Sequence, residues 1–86
     1  MLMLPQLRRS VILLRSIPEP RIVQVYQAPA GTKHGTLVEV DEDRNRFKVK
    51  PEHGSMWGFP LDGVDTVYEA ADGKSWIVMM RFSCPP

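Results

Sequence analysis

The chain has 86 residues, 43% hydrophobic and 24% charged, with 11 lysines and arginines against 10 acids for a net charge of +1. That length supports one small core, not two, and the composition lies away from the low-hydrophobicity, high-charge corner where disorder is found. A nearly neutral total supplies no global field for nucleic acid or an anionic membrane, so binding of either kind must rest on a local patch.

The first segment, MLMLPQLRRSVILLRSIPEP, carries Arg8, Arg9 and Arg15 and no acid before Glu19. Its apolar run Val11 to Leu14 is too short for a secretory signal and far too short to span a membrane. The spacing of Leu7, Val11, Leu14 and Ile17 predicts an amphipathic helix from about Gln6 to Ile17, ended by Pro18 and Pro20. Residues 1–20 are therefore a helix with a proline-rich linker, and 21–86 a small β domain. The helix is expected to pack over one face of the sheet. Its arginine-rich, acid-poor composition also has the character of an organelle-import presequence, which would make the location mitochondrial.

From Arg21 the pattern turns into short β-rich runs separated by Gly, Pro and Asp: RIVQVYQ, GTLVEVD, NRFKVK, SMWGF, VDTVYEA and KSWIVMMRF. These predict a mainly β fold, a five- or six-stranded antiparallel meander curled into a small barrel of the SH3-like or Sm-like kind. In GTLVEVDEDRNRFKVK a turn centred on Asp43-Arg44 pairs Asp41 with Arg46, Glu39 with Lys48 and Leu37 with Lys50. Val40 then faces Phe47, and Val38 faces Val49. One side of this hairpin is apolar. On the other, acids offset two of the three basic residues, which gives that row a structural reason of about 0.2–1 kcal/mol per pair.

The residues GTLVEVDEDRN resemble the first motif of Sm-like RNA-binding proteins, with Gly35, Leu37, Asp41 and Asn45 at matching positions. The resemblance implies a helix followed by five strands and RNA binding. The chain departs from that pattern at Asp43, where the family offers a stacking side chain, at Glu39, where it prefers Gly, and in having no Arg-Gly pair of the second motif.

ADGK predicts a type I′ turn at Asp72-Gly73. The strand after it is apolar on both faces, with Trp76, Val78 and Met80 on one and Ile77 and Met79 on the other. A strand with a wet exterior should alternate. The outer face is therefore expected to be covered by the amino-terminal helix or by another chain.

Candidate chemistry gathers in PEHGSMWGFPLDG. Trp57 and Phe59 offer flat aromatic surface and, with Leu61, Asp62, Met79 and Met80, form the expected binding surface for a protein or ligand. The other reading buries Trp57 and Phe59 on the strand SMWGF. Glu52, His53 and Asp62 could do acid–base chemistry, but no spacing fixes a nucleophile with its base, and no phosphate-binding glycine loop is present. His34, in a glycine-flanked turn, reads as a surface residue. Cys84, alone, forms no intrachain disulfide, and with two histidines it makes no zinc set, so neither metal nor cofactor is expected. A lone thiol fits a reducing compartment, hence a cytoplasmic location.

The sequence thus reads as a non-catalytic binding or assembly module with a protein partner or self-association. The alternative is a nucleic-acid-binding barrel using Arg44, Arg46, Lys48 and Lys50, and a second alternative is a small enzyme using Glu52, His53 and Asp62. The first two separate by salt, since phosphate binding weakens steeply with ionic strength.

Overall fold

The computed structural model describes residues 4–27 and 31–81; Phe82 and Cys84 lie outside them. Helix α1 spans Leu4–Arg15, with Arg15 in its last turn where a cation meets the negative end of the helix dipole. It ends as the Ser16 N–H bonds back to the Ile12 and Leu13 carbonyls and the Ile17 N–H to the Leu14 carbonyl, before Pro18 and Pro20. Val11, Leu14 and Ile17 are buried, and Leu7 packs against them, so the amphipathic stripe enters the core.

Six strands follow: β1 Ile22–Gln27, β2 Gly31–Asp41, β3 Arg46–Lys50, β4 Trp57–Pro60, β5 Val64–Glu69 and β6 Trp76–Met80. They form one sheet in the order β4-β3-β2-β1-β6-β5. The first four make an antiparallel meander, but β6 pairs parallel to β1, so the sheet is mixed and not a pure meander. Parallel pairing needs a connection that leaves the hairpin path, and here residues 28–75 supply it.

The sheet is curled but not closed. Strands β4 and β5 lie at opposite edges, five strand spacings apart, which would be about 24 Å in a flat sheet. A single 3₁₀ turn, Leu61–Gly63, nevertheless joins them. Four Cα steps reach at most about 14 Å, so the sheet must bend to bring its edges near each other. No ladder pairs β4 with β5. The bend has an identifiable source in β2, which pairs with β1 through its first half and with β3 through its second.

Between those halves lies a β-bulge at Leu37/Glu39. The expected pairs Asp41–Arg46, Val40–Phe47 and Glu39–Lys48 are present, but beyond the bulge Leu37 faces Val49 and Thr36 faces Lys50. The expected Leu37–Lys50 and Val38–Val49 pairs are thereby replaced. One extra residue flips the facing of everything before it. Leu37 is accordingly 2% exposed and Val38 46%.

Both hairpin turns are wider than a two-residue loop. In the first, the Asn45 N–H bonds to the Glu42 carbonyl, and Asn45 takes a left-handed φ of 54°. In the second, the Gly73 N–H bonds to the Ala70 carbonyl, with Gly73 at φ 70°. Asp72 does not share that positive φ, so the turn is not the expected type I′. Asp72 instead accepts from the Lys74 and Ser75 N–H groups at 2.8 and 2.9 Å, and this wraps the chain around its carboxylate.

The core is a single cluster. Val23 and Val25 of β1, Leu37 of β2, Phe47 and Val49 of β3, Phe59 of β4, Val64 of β5 and Val78 and Met80 of β6 meet Val11, Leu14 and Ile17. Phe47 and Phe59 stack with ring centroids 5.2 Å apart. Helix α1 packs against β5, the 3₁₀ turn and β2. It therefore covers the side of the sheet that carries Val78 and Met80, and not the Ile77/Met79 side it was expected to cover. The pattern of one helical stripe allows only one buried face, and the valines of β1 and β6 already claim it.

Candidate contact face

The register places a second set of side chains on the uncovered side of the sheet. Paired residues of neighbouring strands point the same way, so the Gln24–His34, Gln24–Ile77 and Tyr68–Ile77 pairs form one cross-strand row. Thr32, Tyr26, Met79 and Thr66 form the next. Ile77 and Met79 lie half-buried at the centre, and Tyr26 and Tyr68 flank them at 37% and 46% exposure. No described element of the chain covers these rows.

Hydrogen bonds fix the polar member of this face. Gln24 Nε2 donates to Ser75 Oγ at 2.9 Å, and Ser75 Oγ donates to Asp72 Oδ2 at 2.9 Å. Ser75 is buried, so this chain of bonds anchors the β5–β6 turn to the sheet and holds the amide in place. The Tyr26 hydroxyl reaches toward Gln24 Oε1 at 3.5 Å. The Asp72 carboxyl is held below its ordinary pKa, first by the backbone N–H of Ser75, then by that of Lys74 and by the Ser75 hydroxyl.

The residues expected from sequence to form a binding surface are divided between core and surface. Phe59, Leu61 and Met80 are buried in the core, where they cannot meet a partner without unfolding. Trp57 packs partly against that core, and Lys33 Nζ sits 5.2 Å from its ring centroid, so a cation of the same chain occupies its open face. Asp62 is exposed, and its N–H donates to Asn45 Oδ1 at 3.0 Å. Met79 alone of the set stands on the uncovered face. Of the loop before β4, Met56 is the apolar side chain at the surface.

The four positions that resemble the Sm-like motif all have work inside the fold. Gly35 lies so close to β3 that a Cβ would stand 2.5 Å from the Lys50 carbonyl oxygen. Leu37 is core. Asp41 Oδ1 accepts from the Arg44 N–H at 3.2 Å, and Asn45 uses its side chain and its carbonyl to hold Asp62 and Leu61 of the 3₁₀ turn.

Arg46, Lys48 and Lys50 share the uncovered side of β3 in register with Asp41, Glu39 and Thr36, and Arg44 is exposed in the turn. Lys48 pairs with Glu39 at 3.8 Å. The arginines of α1 bond to the sheet domain instead of gathering into a patch: Arg8 to Glu42 at 3.4 Å, Arg9 to the Asp65 carbonyl at 3.1 Å and Arg15 to the Val40 carbonyl at 3.4 Å. Glu52 and His53 are exposed in the bend after β3. Among the described residues no group of His, Cys, Asp and Glu is placed to hold a metal ion, and no helix is long and apolar enough to cross a membrane.

Tyr26, Tyr68 and Gln24 were not among the sequence candidates. The alternation in RIVQVYQ could have found two of them, since Val23 and Val25 facing the core put Ile22, Gln24 and Tyr26 on the other side. Their meeting with Ile77, Met79 and Tyr68 depends on the parallel β1–β6 pairing, which leaves no local signal. The chain matches no family model, and no curated protein or solved structure is significantly similar to it.

Proposed function

We propose that this chain is a non-catalytic binding or assembly module that meets a protein partner, or a second copy of itself, through the outer face of β1, β6 and β5. One observation carries the reading: Ile77 and Met79, framed by Tyr26 and Tyr68, lie on a sheet face that α1 leaves open. Half-buried apolar side chains framed by exposed aromatic ones on an uncovered surface are the composition of an interface core. Gln24, held by Ser75, supplies a fixed donor and acceptor at its margin.

The test compares the native assembly size of the chain with that of Met79→Lys and Tyr68→Lys. The expected result is an assembly larger than the monomer that both variants dissolve while the thermal transition is kept. A monomer at every concentration and in cell extract, unchanged by either variant, contradicts the reading.

A second reading, single-stranded nucleic acid, draws on Lys50, Arg44 and Arg46, which make no ion pair among the described residues, with Lys50 and Arg46 on the same side of the sheet as the two tyrosines. It predicts retention on single-stranded RNA that falls steeply with salt and is lost in Tyr26→Ala.

A further inference from the structure

A groove of about 510 Å³ opens on the same side of the sheet, next to the row of Gln24 and Ile77, lined by Ile22, His34, Thr36, Lys50, Pro51 and Glu52 with Gly35 between them. Its volume falls in the range of about 300–1,000 Å³ typical of small-molecule sites. The register explains why these residues converge. Lys50 pairs with Thr36 and Thr36 with Ile22, so an ammonium, a hydroxyl and an aliphatic side chain stand in one row across three strands. His34, two residues before Thr36, points to the same side. Buried Pro51 turns the chain away at the end of β3.

The groove combines an apolar surface with donors. Ile22 is 40% exposed, a large aliphatic side chain left in water beside Thr36, across which Lys50 stands. Lys50 has no acid partner among the described residues, in contrast to Lys48, its neighbour on the same face. Thr36 adds a hydroxyl and His34 a ring N–H. Glu52 is the one acid on the lining, and it makes no ion pair with Lys50.

We propose that this groove binds an aliphatic carboxylate, with the carboxylate on Lys50, Thr36 and His34 and the hydrocarbon on Ile22. The ligand is either a free short-chain acid or the terminal carboxylate of an apolar peptide. Both present the same chemistry to the groove, and the site borders the contact face at His34 but uses none of Tyr26, Tyr68, Ile77 and Met79.

The test is a titration of the isotopically labelled full chain, read by the backbone amide shifts of Ile22, His34, Gly35, Thr36 and Lys50. The probes are hexanoate, hexylamine, acetyl-leucyl-leucine and its carboxamide. Saturable shifts confined to these amides are expected with hexanoate or with the free-acid dipeptide, and not with hexylamine or the carboxamide. Tighter binding of the dipeptide identifies a peptide terminus, and tighter binding of hexanoate a free acid. Lys50→Met, which keeps the aliphatic stem, should weaken binding about tenfold or more, the loss of one charge-assisted hydrogen bond. Glu52→Gln should tighten it about two- to threefold by removing a like charge.

The proposal is overturned if neither acid saturates by about 50 mM, where the site would be worth less than about 2 kcal/mol. It is equally overturned if hexylamine binds as well as hexanoate, or if Glu52→Gln weakens binding, the sign expected of a cation site. A chain that is monomeric at every concentration and in cell extract yet binds hexanoate would leave the groove standing without the contact face, and an assembly that Met79→Lys dissolves, in a chain that binds neither acid, would leave the contact face standing without the groove.

Discussion

Gly35 shows how a single residue sets the shape of this molecule. It sits close against the end of β3, and an added Cβ would meet the Lys50 carbonyl oxygen at 2.5 Å and Val49 Cγ1 at 2.7 Å. Neither backbone nor a core valine can move freely, so Gly35→Ala is expected to cost about 1–3 kcal/mol, measured as a lower denaturant midpoint. The reason is legible in the sequence only as a glycine within a β run. Asp72 makes a second residue-scale prediction. Its folded pKa lies below the ordinary carboxylate value because the N–H groups of Ser75 and Lys74 donate to it. The stability it contributes is therefore present above the unfolded pKa and disappears as pH falls through the lower folded value. Wild type should exceed Asp72→Ala in denaturant midpoint at neutral pH, and the gap should narrow from about pH 4 downward, where carboxylates begin to protonate. A gap that is constant or widens with acid would contradict the assignment.

At the scale of elements, α1 is an integral wall of the core. Leu14 is wholly buried and Ile17 nearly so, beside Val23, Val64 and Val78, and three arginines bond the helix to the sheet domain. Leu14→Ala should cost about 2–5 kcal/mol, as large-to-small changes in a packed core do. Removing residues 1–18 should abolish the cooperative unfolding transition seen by circular dichroism. A truncated chain that kept a sharp transition would show that the strands fold without the helix. The helix and its apolar stripe were legible because a 3.6-residue period survives in one sequence, and the strands because their runs end at Gly, Pro and Asp. The bulge at Leu37/Glu39 was legible only as a break in alternation, since Leu37 and Val38 are adjacent apolar residues in TLVEVD, and nothing local says which of the two enters the core; in the fold Leu37 pairs with Val49 and Val38 is exposed. For the same reason the Asp72-Gly73 pair suggested a tight turn that the side-chain acceptor of Asp72 widens.

The whole molecule is a curled, open, mixed sheet with a helix over one side and an apolar, aromatic field left bare on the other. Turn signals describe only neighbours in sequence, so an antiparallel meander was the order the sequence could express. The parallel β1–β6 pair joins residues about fifty positions apart, and it creates both the core row of Val25 and Val78 and the outer row of Tyr26 and Met79. Of the expected contact residues, the pairing keeps Met79 outside and sends Met80 inside. The curl brings β4 back toward the core, and this buries Phe59 and Leu61. The candidate face therefore follows from tertiary pairing, which periodicity alone could not reveal.

The most direct test of that face is site-specific photo-crosslinking in cells that produce the chain, with the photoreactive residue placed at Tyr68 and, for comparison, at exposed Val38 and Ile12 off the field. The outer-face reading predicts a discrete protein adduct from position 68 alone, one that resists nuclease and disappears when Met79→Lys is added. Equal adducts from all three positions, or a discrete one from Val38 or Ile12 alone, would contradict it.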